Sequence, residues 1–97
     1  MWFTYIIASD NSYYFNHTYI GITTDPFRRI LQHNGHKYGG AKNTRAKRPY
    51  RLVAFIECDN KSQAIHYEFL LKKKCRGKDF NHKMKLFFDK SIIEKYN

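Results

Sequence analysis

The chain has 97 residues and a formal net charge of +10 at pH 7, because it contains 18 lysines and arginines but only 8 aspartates and glutamates. This length excludes a multidomain protein, so we predict a single domain over residues 1–97 with a small core. The 42% of hydrophobic residues and 18% of aromatic residues exclude a disordered chain.

The first predicted elements are two strands joined by a turn. Residues 2–8 are rich in aromatic and β-branched types, residues 10–12 form a turn cluster, and residues 14–22 can form the second strand. This pattern is typical of a β-hairpin. The apolar start lacks the basic region and the processing site of a signal peptide, so we expect an intracellular protein.

A short helix is predicted between Asp25 and Gly35, with signals at both ends. The Asp25 carboxylate can cap the first turn, and Pro26 suits the first helical position, where a missing N–H costs nothing. Gly35 suits the left-handed residue that ends a helix.

Two residues of this helix, Arg29 and His33, lie four apart, so their side chains point the same way from neighbouring turns. The second strand ends close by with Tyr19-Ile20-Gly21. A guanidinium, an imidazole and a tyrosine can together hold a phosphate, which predicts a site here. A separate, mainly apolar side of the helix carries Phe27, Ile30, Leu31 and Asn34.

A basic segment surrounds this predicted site. Residues 26–56 contain no Asp or Glu but eight lysines and arginines. Such a run usually means only a solvated face, but around a phosphate site it favours a polyanionic partner. Nucleic acid is favoured over a membrane, because no basic amphipathic helix or lipid-anchor motif accompanies the charge.

The second half of the chain predicts a strand, a helix and a covering tail. Residues 50–58 are apolar on both faces almost to their end, which indicates a central strand. A helix follows over residues 62–74, and Ser62 can cap it. In the tail we predict a last strand over residues 80–88 and a closing helix over residues 91–96.

Glu68 lies in the middle of the apolar stripe of this second helix, between Ala64 and Leu71. Burying an unpaired charge costs several kcal/mol, so such a carboxylate is either neutralised by a cation or binds a metal ion. A structural salt bridge and a metal ligand both stay open for Glu68 at this point.

Several of these elements resemble the signature of GIY-YIG endonucleases. Tyr5 lies in the first strand, although the glycine that normally precedes it is absent, and Tyr19-Ile20-Gly21 matches the second half of the pattern. Arg29 follows Tyr19 by ten residues, and His33 follows Arg29 by four.

Later segments extend the resemblance. Residues 39–45, Gly-Gly-Ala-Lys-Asn-Thr-Arg, look like a segment of the subgroup that includes the Slx-type structure-specific endonucleases. Glu68 matches the glutamate of a later helix. Asn81 lies near a backbone-contacting asparagine of several members, although it also belongs to an ordinary turn. The resemblance covers residues 3 to about 72.

The resemblance implies an α+β fold, with a small, mainly antiparallel three-stranded sheet flanked by helices. It implies a DNA endonuclease that hydrolyses phosphodiester bonds, in some members in a structure-specific way on branched, flap or nicked DNA. It also implies one Mg²⁺ or Mn²⁺ ion, held by Glu68, since a single carboxylate suits these ions.

The implied roles are those of a hydrolytic site. Arg29 would clamp the scissile phosphate, Tyr5 would act as base, Tyr19 would orient water or phosphate, and His33 would assist by hydrogen bonding. The residues alone do not separate Tyr5 from Tyr19 in these roles. A tyrosine with its ordinary pKa of about 10 is ionised only about one part in a thousand at neutral pH, so we expect nearby cations to lower the pKa.

The candidate nucleic-acid contacts come from the second strand, the basic segment and the tail: Gly21, Lys42, Thr44, Arg45, Lys47, Arg48 and Asn81. Two alternatives stay open. One is a nucleic-acid-binding module without catalysis, and the other is a nuclease subunit that needs a partner protein. The sequence does not separate DNA from RNA, and it does not predict the oligomeric state.

Overall fold

The computed structural model describes residues 1–39, 42–75 and 79–88, except for the side chains of Lys42, Asn43 and Cys75. In chain order the elements are β1 (Trp2–Ser9), β2 (Thr18–Thr23), α1 (Pro26–His33), a 3-10 helix (Lys42–Lys47), β3 (Tyr50–Cys58), α2 (Lys61–Cys75) and α3 (Phe80–Phe87).

The three strands form one antiparallel sheet in the order β2-β1-β3. This confirms the predicted α+β fold with a small antiparallel sheet. The central strand is β1, however, and not β3 as the sequence predicted. Residues 4–9 of β1 are all buried, whereas most of β3 is only half-buried because it pairs with β1 alone.

Two core clusters lie on opposite faces of the sheet because side chains alternate along each strand. Ile6 and Ile20 pack with the buried residues of α2 and α3, whereas Tyr5 and Ile7 pack with Tyr50 and with residues at the α1 side. The domain therefore has three layers, and Tyr5 points into the α1 layer.

The ends of α1 confirm the sequence signals. The Asp25 carboxylate accepts a hydrogen bond from the Arg28 N–H, Pro26 occupies the first helical position, and Gly35 has a φ of +81° just after the helix. The helix therefore begins and ends where its local sequence predicts.

The buried face of α1 differs from the predicted apolar side. Phe27 is 65% exposed and Leu31 is 39% exposed, whereas His33 is completely buried. The Phe27 ring makes an edge contact with Phe55 on β3 instead of entering the core. Ile30, from the same predicted side, does pack against the core cluster of the α1 layer, so only part of that side is buried.

The tail contradicts the predicted last strand, because residues 80–87 form helix α3. Asp79 caps this helix by accepting from the His82 N–H, and Met84 and Phe87 pack against the α2 side of the core. A spacing of three to four residues between buried positions requires a helix, not a strand. The predicted closing helix at 91–96 lies outside the described residues.

Within the described ranges, none of the helices has the length and apolar character that crossing a bilayer would require.

A side-chain clamp joins the end of α1 to the start of β3. The Asn34 amide donates to the Tyr50 carbonyl at 2.8 Å, and its carbonyl accepts from the Tyr50 N–H at 2.7 Å. These two bonds fix the helix that carries Arg29 and His33 against the sheet.

We expect Asn34→Ala to lower the free energy of unfolding by about 1–3 kcal/mol, because it leaves two backbone groups of Tyr50 without their partner. Urea denaturation measures the change. Asn81→Ala, on the exposed side of α3, is the matched control and should shift stability by less than about 0.5 kcal/mol. Equal effects of the two substitutions would contradict the role of the clamp.

Candidate active site

Three of the predicted site residues meet at one oxygen atom, the hydroxyl of Tyr5. His33 Nε2 lies 2.7 Å from this oxygen, and Arg29 Nε donates to it at 3.3 Å. Tyr5 is only 1% exposed, and it lies in the middle of the central strand. The site therefore joins β1 and α1 directly.

Gly21 makes room for this phenol. It pairs with Tyr5 across β1 and β2, and a Cβ atom at position 21 would lie 2.6 Å from the Tyr5 hydroxyl oxygen. Any side chain here would push the phenol aside. The structure thus places Gly21 against the Tyr5 ring, where the missing side chain lets the phenol reach His33 and Arg29.

His33 makes a second hydrogen bond, which the sequence did not reveal. Its Nδ1 lies 3.0 Å from the Thr44 hydroxyl, and Thr44 is 1% exposed. Thr44 was predicted to contact nucleic acid, but the structure places it in the interior behind His33. The three side chains form a chain of hydrogen bonds from Tyr5 through His33 to Thr44.

The His33 ring is neutral at physiological pH. Burial lowers its pKa to about 4, and the positive charges of Arg29 and Arg48 act in the same direction. A neutral imidazole has one donor and one acceptor nitrogen. When Nδ1–H donates to Thr44, Nε2 accepts the Tyr5 hydroxyl proton, and in the other tautomer both bonds reverse.

The pKa of Tyr5 moves in the direction opposite to the one expected from the sequence. Burial raises it to about 12, and this outweighs the hydrogen bond and the charge of Arg29, which lower it. The negative charge of Glu68 raises it further. At neutral pH Tyr5 therefore keeps its proton, and it can act as a base only if it passes that proton on.

Tyr19 forms the wall of the site at the edge strand β2. Its ring centroid lies 6.4 Å from that of Tyr5 and 5.0 Å from that of His33. On its other side, Lys72 Nζ of α2 lies 5.7 Å from the Tyr19 ring centroid. Tyr19 therefore connects the α1 layer with residues of α2.

Glu68 reaches the margin of the site through this contact. Its carboxylate bonds Lys72 Nζ at 2.6 Å, and the side chains are 24% and 51% exposed, respectively. Glu68 therefore has a cation partner, Lys72, which was one of the two alternatives that the sequence left open for it. A solvent-accessible pair four residues apart on a helix is worth only about 0.3–0.5 kcal/mol, so another cation can replace Lys72 at little cost.

Arg29 has further partners beside the site. Its Nη1 donates to Gln32 Oε1 at 2.9 Å and to the Gly39 carbonyl at 2.6 Å. Sequence reasoning missed Gln32, although a residue three positions after Arg29 on a helix lies on the same face. Within the described residues these bonds use three of the five guanidinium donors, and the other two stay available for a ligand.

The remaining basic candidates differ in their surroundings. Arg48 Nε donates to the His33 carbonyl at 2.5 Å, Lys47 Nζ lies 5.4 Å from the Tyr14 ring centroid, and Arg45 is exposed. The Lys42 side chain lies outside the description. Asn81 is exposed on α3, in the layer across the sheet from α1.

The described residues contain no group of three or more His, Cys, Asp or Glu side chains that could hold a metal ion. Among the residues that the structure describes, the candidate ligand at the site is the Glu68 carboxylate. One carboxylate is enough for Mg²⁺, because this ion keeps several waters and also binds substrate phosphate. The donor set fits a hydrated, hard divalent cation.

Comparisons with known proteins identify the family of this chain. The sequence model of the GIY-YIG catalytic domain matches residues 1–96. UPF0213 protein YsiG of Lactococcus lactis is 36% identical over 96 residues, which cover 98% of this chain and 83% of that protein.

Other similar proteins are longer. A structure-specific endonuclease subunit SLX1 homolog of Caenorhabditis elegans is 44% identical over 66 residues, or 66% of this chain and 15% of that protein. Its Caenorhabditis briggsae counterpart is 36% identical over 80 residues, or 80% of this chain and 18% of that protein. The chain thus spans less than a fifth of these relatives.

The buried, neutral His33 predicts a dependence of stability on pH. Between pH 6.5 and about 4 the unfolded chain binds a proton at His33 that the folded chain does not. The free energy of unfolding should therefore fall by about 2–3 kcal/mol as the pH is lowered through this window. Urea denaturation at a series of pH values measures the slope.

His33→Gln should flatten this slope, whereas His36→Gln, at an exposed position, should preserve it. If the wild type and His33→Gln lose stability in parallel, His33 is not the group responsible.

Proposed function

The chain belongs to the GIY-YIG catalytic domain family, and we propose from this that it is an endonuclease that hydrolyses phosphodiester bonds in DNA. The observation that carries the proposal is the convergence of Tyr5, Arg29 and His33 on one hydroxyl oxygen. The names of the SLX1 relatives support a structure-specific substrate, such as branched, flap or nicked DNA.

Arg29 supplies the phosphate clamp in this proposal. Its bonds to Tyr5, Gln32 and Gly39 fix the guanidinium plane, so the two remaining donors are oriented before the substrate arrives. A guanidinium matches the geometry of two phosphoryl oxygens and can neutralise charge that grows on them. The clamp therefore favours the transition state without reorganising.

The proton path runs from water to Tyr5 and then to His33. The Tyr5 oxygen takes a proton from the attacking water as its own proton passes to His33 Nε2 over the 2.7 Å bond. The water oxygen forms a bond to phosphorus, the bond to the leaving oxygen breaks, and that oxygen takes up a proton from solvent. Burial is the main cause of the low pKa of His33, and the charge of Arg29 acts in the same direction; a bound phosphate offsets that charge.

We assign the divalent ion that the family implies to Glu68, with Mg²⁺ or Mn²⁺ as the candidates. Such an ion would supply Lewis-acid stabilisation of phosphoryl and leaving-group charge when bound. Lys72 holds the carboxylate in place at 2.6 Å and is exposed enough to move away.

One set of observations favours the second candidate, a nucleic-acid-binding module without catalysis. Tyr5 has a pKa of about 12, and Glu68 is already paired with Lys72. A module that only binds would need neither an ionisable phenol nor a free carboxylate. The name "subunit" of the SLX1 relatives supports a third candidate, a nuclease that works with a partner protein.

We expect the wild type to cut duplex, flap or branched DNA in Mg²⁺ or Mn²⁺ and to stop cutting in chelator. Glu68→Ala should lower the cleavage rate at least about 100-fold, because it removes stabilisation of the transition state. The matched control is Glu57→Ala, an exposed glutamate on β3, which should cut at the wild-type rate. Gel separation of labelled DNA measures both.

Binding of all three proteins is measured in chelator. If the wild type binds DNA but cuts none of the substrates, alone or with cell extract, the binding module is correct and the endonuclease proposal fails.

Binding should weaken steeply with salt, because neutralised phosphates release counterions. An interface of about six phosphate contacts loses about 10³ in affinity between 50 and 200 mM salt. Arg45→Ala should reduce the slope of log affinity against log salt by about 1. Lys61→Ala, at the start of α2, should leave it unchanged. A salt-independent affinity would remove the basic segment from the interface.

A further inference from the structure

A cleft of about 580 Å³ opens beside the candidate active site. It is lined by Gln32, Gly35, residues 36–39, Arg45 and Arg48. Its volume lies within the range of about 300–1,000 Å³ that is typical of ligand-binding clefts. We call it the side cleft.

The side cleft is continuous with the reaction centre through one side chain. Arg29 bonds the Tyr5 hydroxyl through Nε, and it bonds Gln32 and the Gly39 carbonyl, both in the cleft wall, through Nη1. A phosphate held by Arg29 would therefore sit at the mouth of the side cleft. The nucleotide next to that phosphate along the strand would reach into it.

The lining of the side cleft combines positive charge with an unpacked aromatic ring. Lys37 and Arg45 are exposed cations, and the described lining includes no Asp or Glu. Tyr38 is 101% exposed, so its ring contributes nothing to the core. Cations beside an exposed aromatic ring are the combination that holds a phosphate and stacks on a base in single-stranded nucleic acid.

The Tyr38 ring also discriminates between paired and unpaired nucleotides. In a duplex each base is already stacked between its neighbours, so a protein ring reaches its face only by unstacking it. An unpaired nucleotide presents its face at no such cost.

We propose that the side cleft is a subsite for an unpaired nucleotide next to the scissile phosphate, in which Tyr38 stacks on the base and Lys37 and Arg45 hold the flanking phosphate. This proposal rests on the proposed function, because it takes the substrate to be DNA. It makes a junction between duplex and single strand the preferred substrate.

The test measures binding in chelator, so that cleavage does not enter. The probes are a fluorescent DNA hairpin with a short unpaired tail and the same hairpin with an abasic tail, which has equal charge but no bases. Tails on the 5′ end and on the 3′ end are both made. The wild type should bind the natural tail at least about fivefold more tightly than the abasic tail, for one of the two ends.

Three variants make the assignment specific. Tyr38→Ala should abolish the difference between the two tails, whereas Tyr38→Phe should keep it, because the ring remains. Tyr13→Ala is the matched control, since Tyr13 is 90% exposed but lies in the turn between β1 and β2, and it should keep the difference. Both positions are exposed, so all three substitutions preserve folding.

The subsite is overturned if the wild type binds natural and abasic tails equally, or if Tyr38→Ala keeps the difference. It is also overturned if Tyr13→Ala removes it. The proposed function fails separately, if the wild type binds DNA but cuts none of the substrates in Mg²⁺ or Mn²⁺, alone or with cell extract. A base-dependent preference lost in Tyr38→Ala would then still support the subsite.

Discussion

The hydrogen bond between the Tyr5 hydroxyl and His33 Nε2 is the contact on which the site depends. It joins the central strand to α1 inside the protein, where a polar group without a partner would cost about 1–3 kcal/mol. Gly21 provides the space for the phenol, and Thr44 satisfies the far nitrogen of the imidazole. In the part of the chain that is described, every buried side-chain nitrogen and oxygen has a partner. The network is therefore pre-organised, and each member fixes the next.

The three layers explain how side chains that are distant in the sequence come to lie near one another. The α1 layer supplies the guanidinium and the imidazole, the sheet supplies the phenols, and α2 supplies the carboxylate from around the edge strand β2. An arginine clamp and a carboxylate placed on the same helix would neutralise each other. Arg29 and Glu68 instead stand on different helices, and Glu68 pairs with Lys72.

Local signals predicted the three strands, α1 and α2 but gave a strand where α3 lies, and tertiary contacts account for most of the other differences. Asp25, Pro26 and Gly35 specify the ends of α1 because capping involves only near neighbours. The exposed positions of Phe27 and Leu31 were not predicted, because the hydrophobic pattern of a helix does not show which of its apolar residues the sheet covers. The direction of the Tyr5 pKa shift was wrong for a related reason: the sequence shows the cations nearby but not the burial of the phenol. Likewise, the hydrogen bond between His33 and Thr44 depends on how the basic segment folds back onto α1. The spacing of residues in the sequence does not predict that fold.

Gly21 is the position at which a single added carbon atom would disturb the Tyr5 site most directly. The methyl group of an alanine at position 21 would fill the space next to the Tyr5 phenol that Gly21 leaves open. One added carbon on β2 would displace the Tyr5 oxygen from its partners and leave the cationic surface of the other elements intact. For the function proposed above, the absence of a side chain at position 21 thus separates a domain that can cut DNA from one that can only bind it.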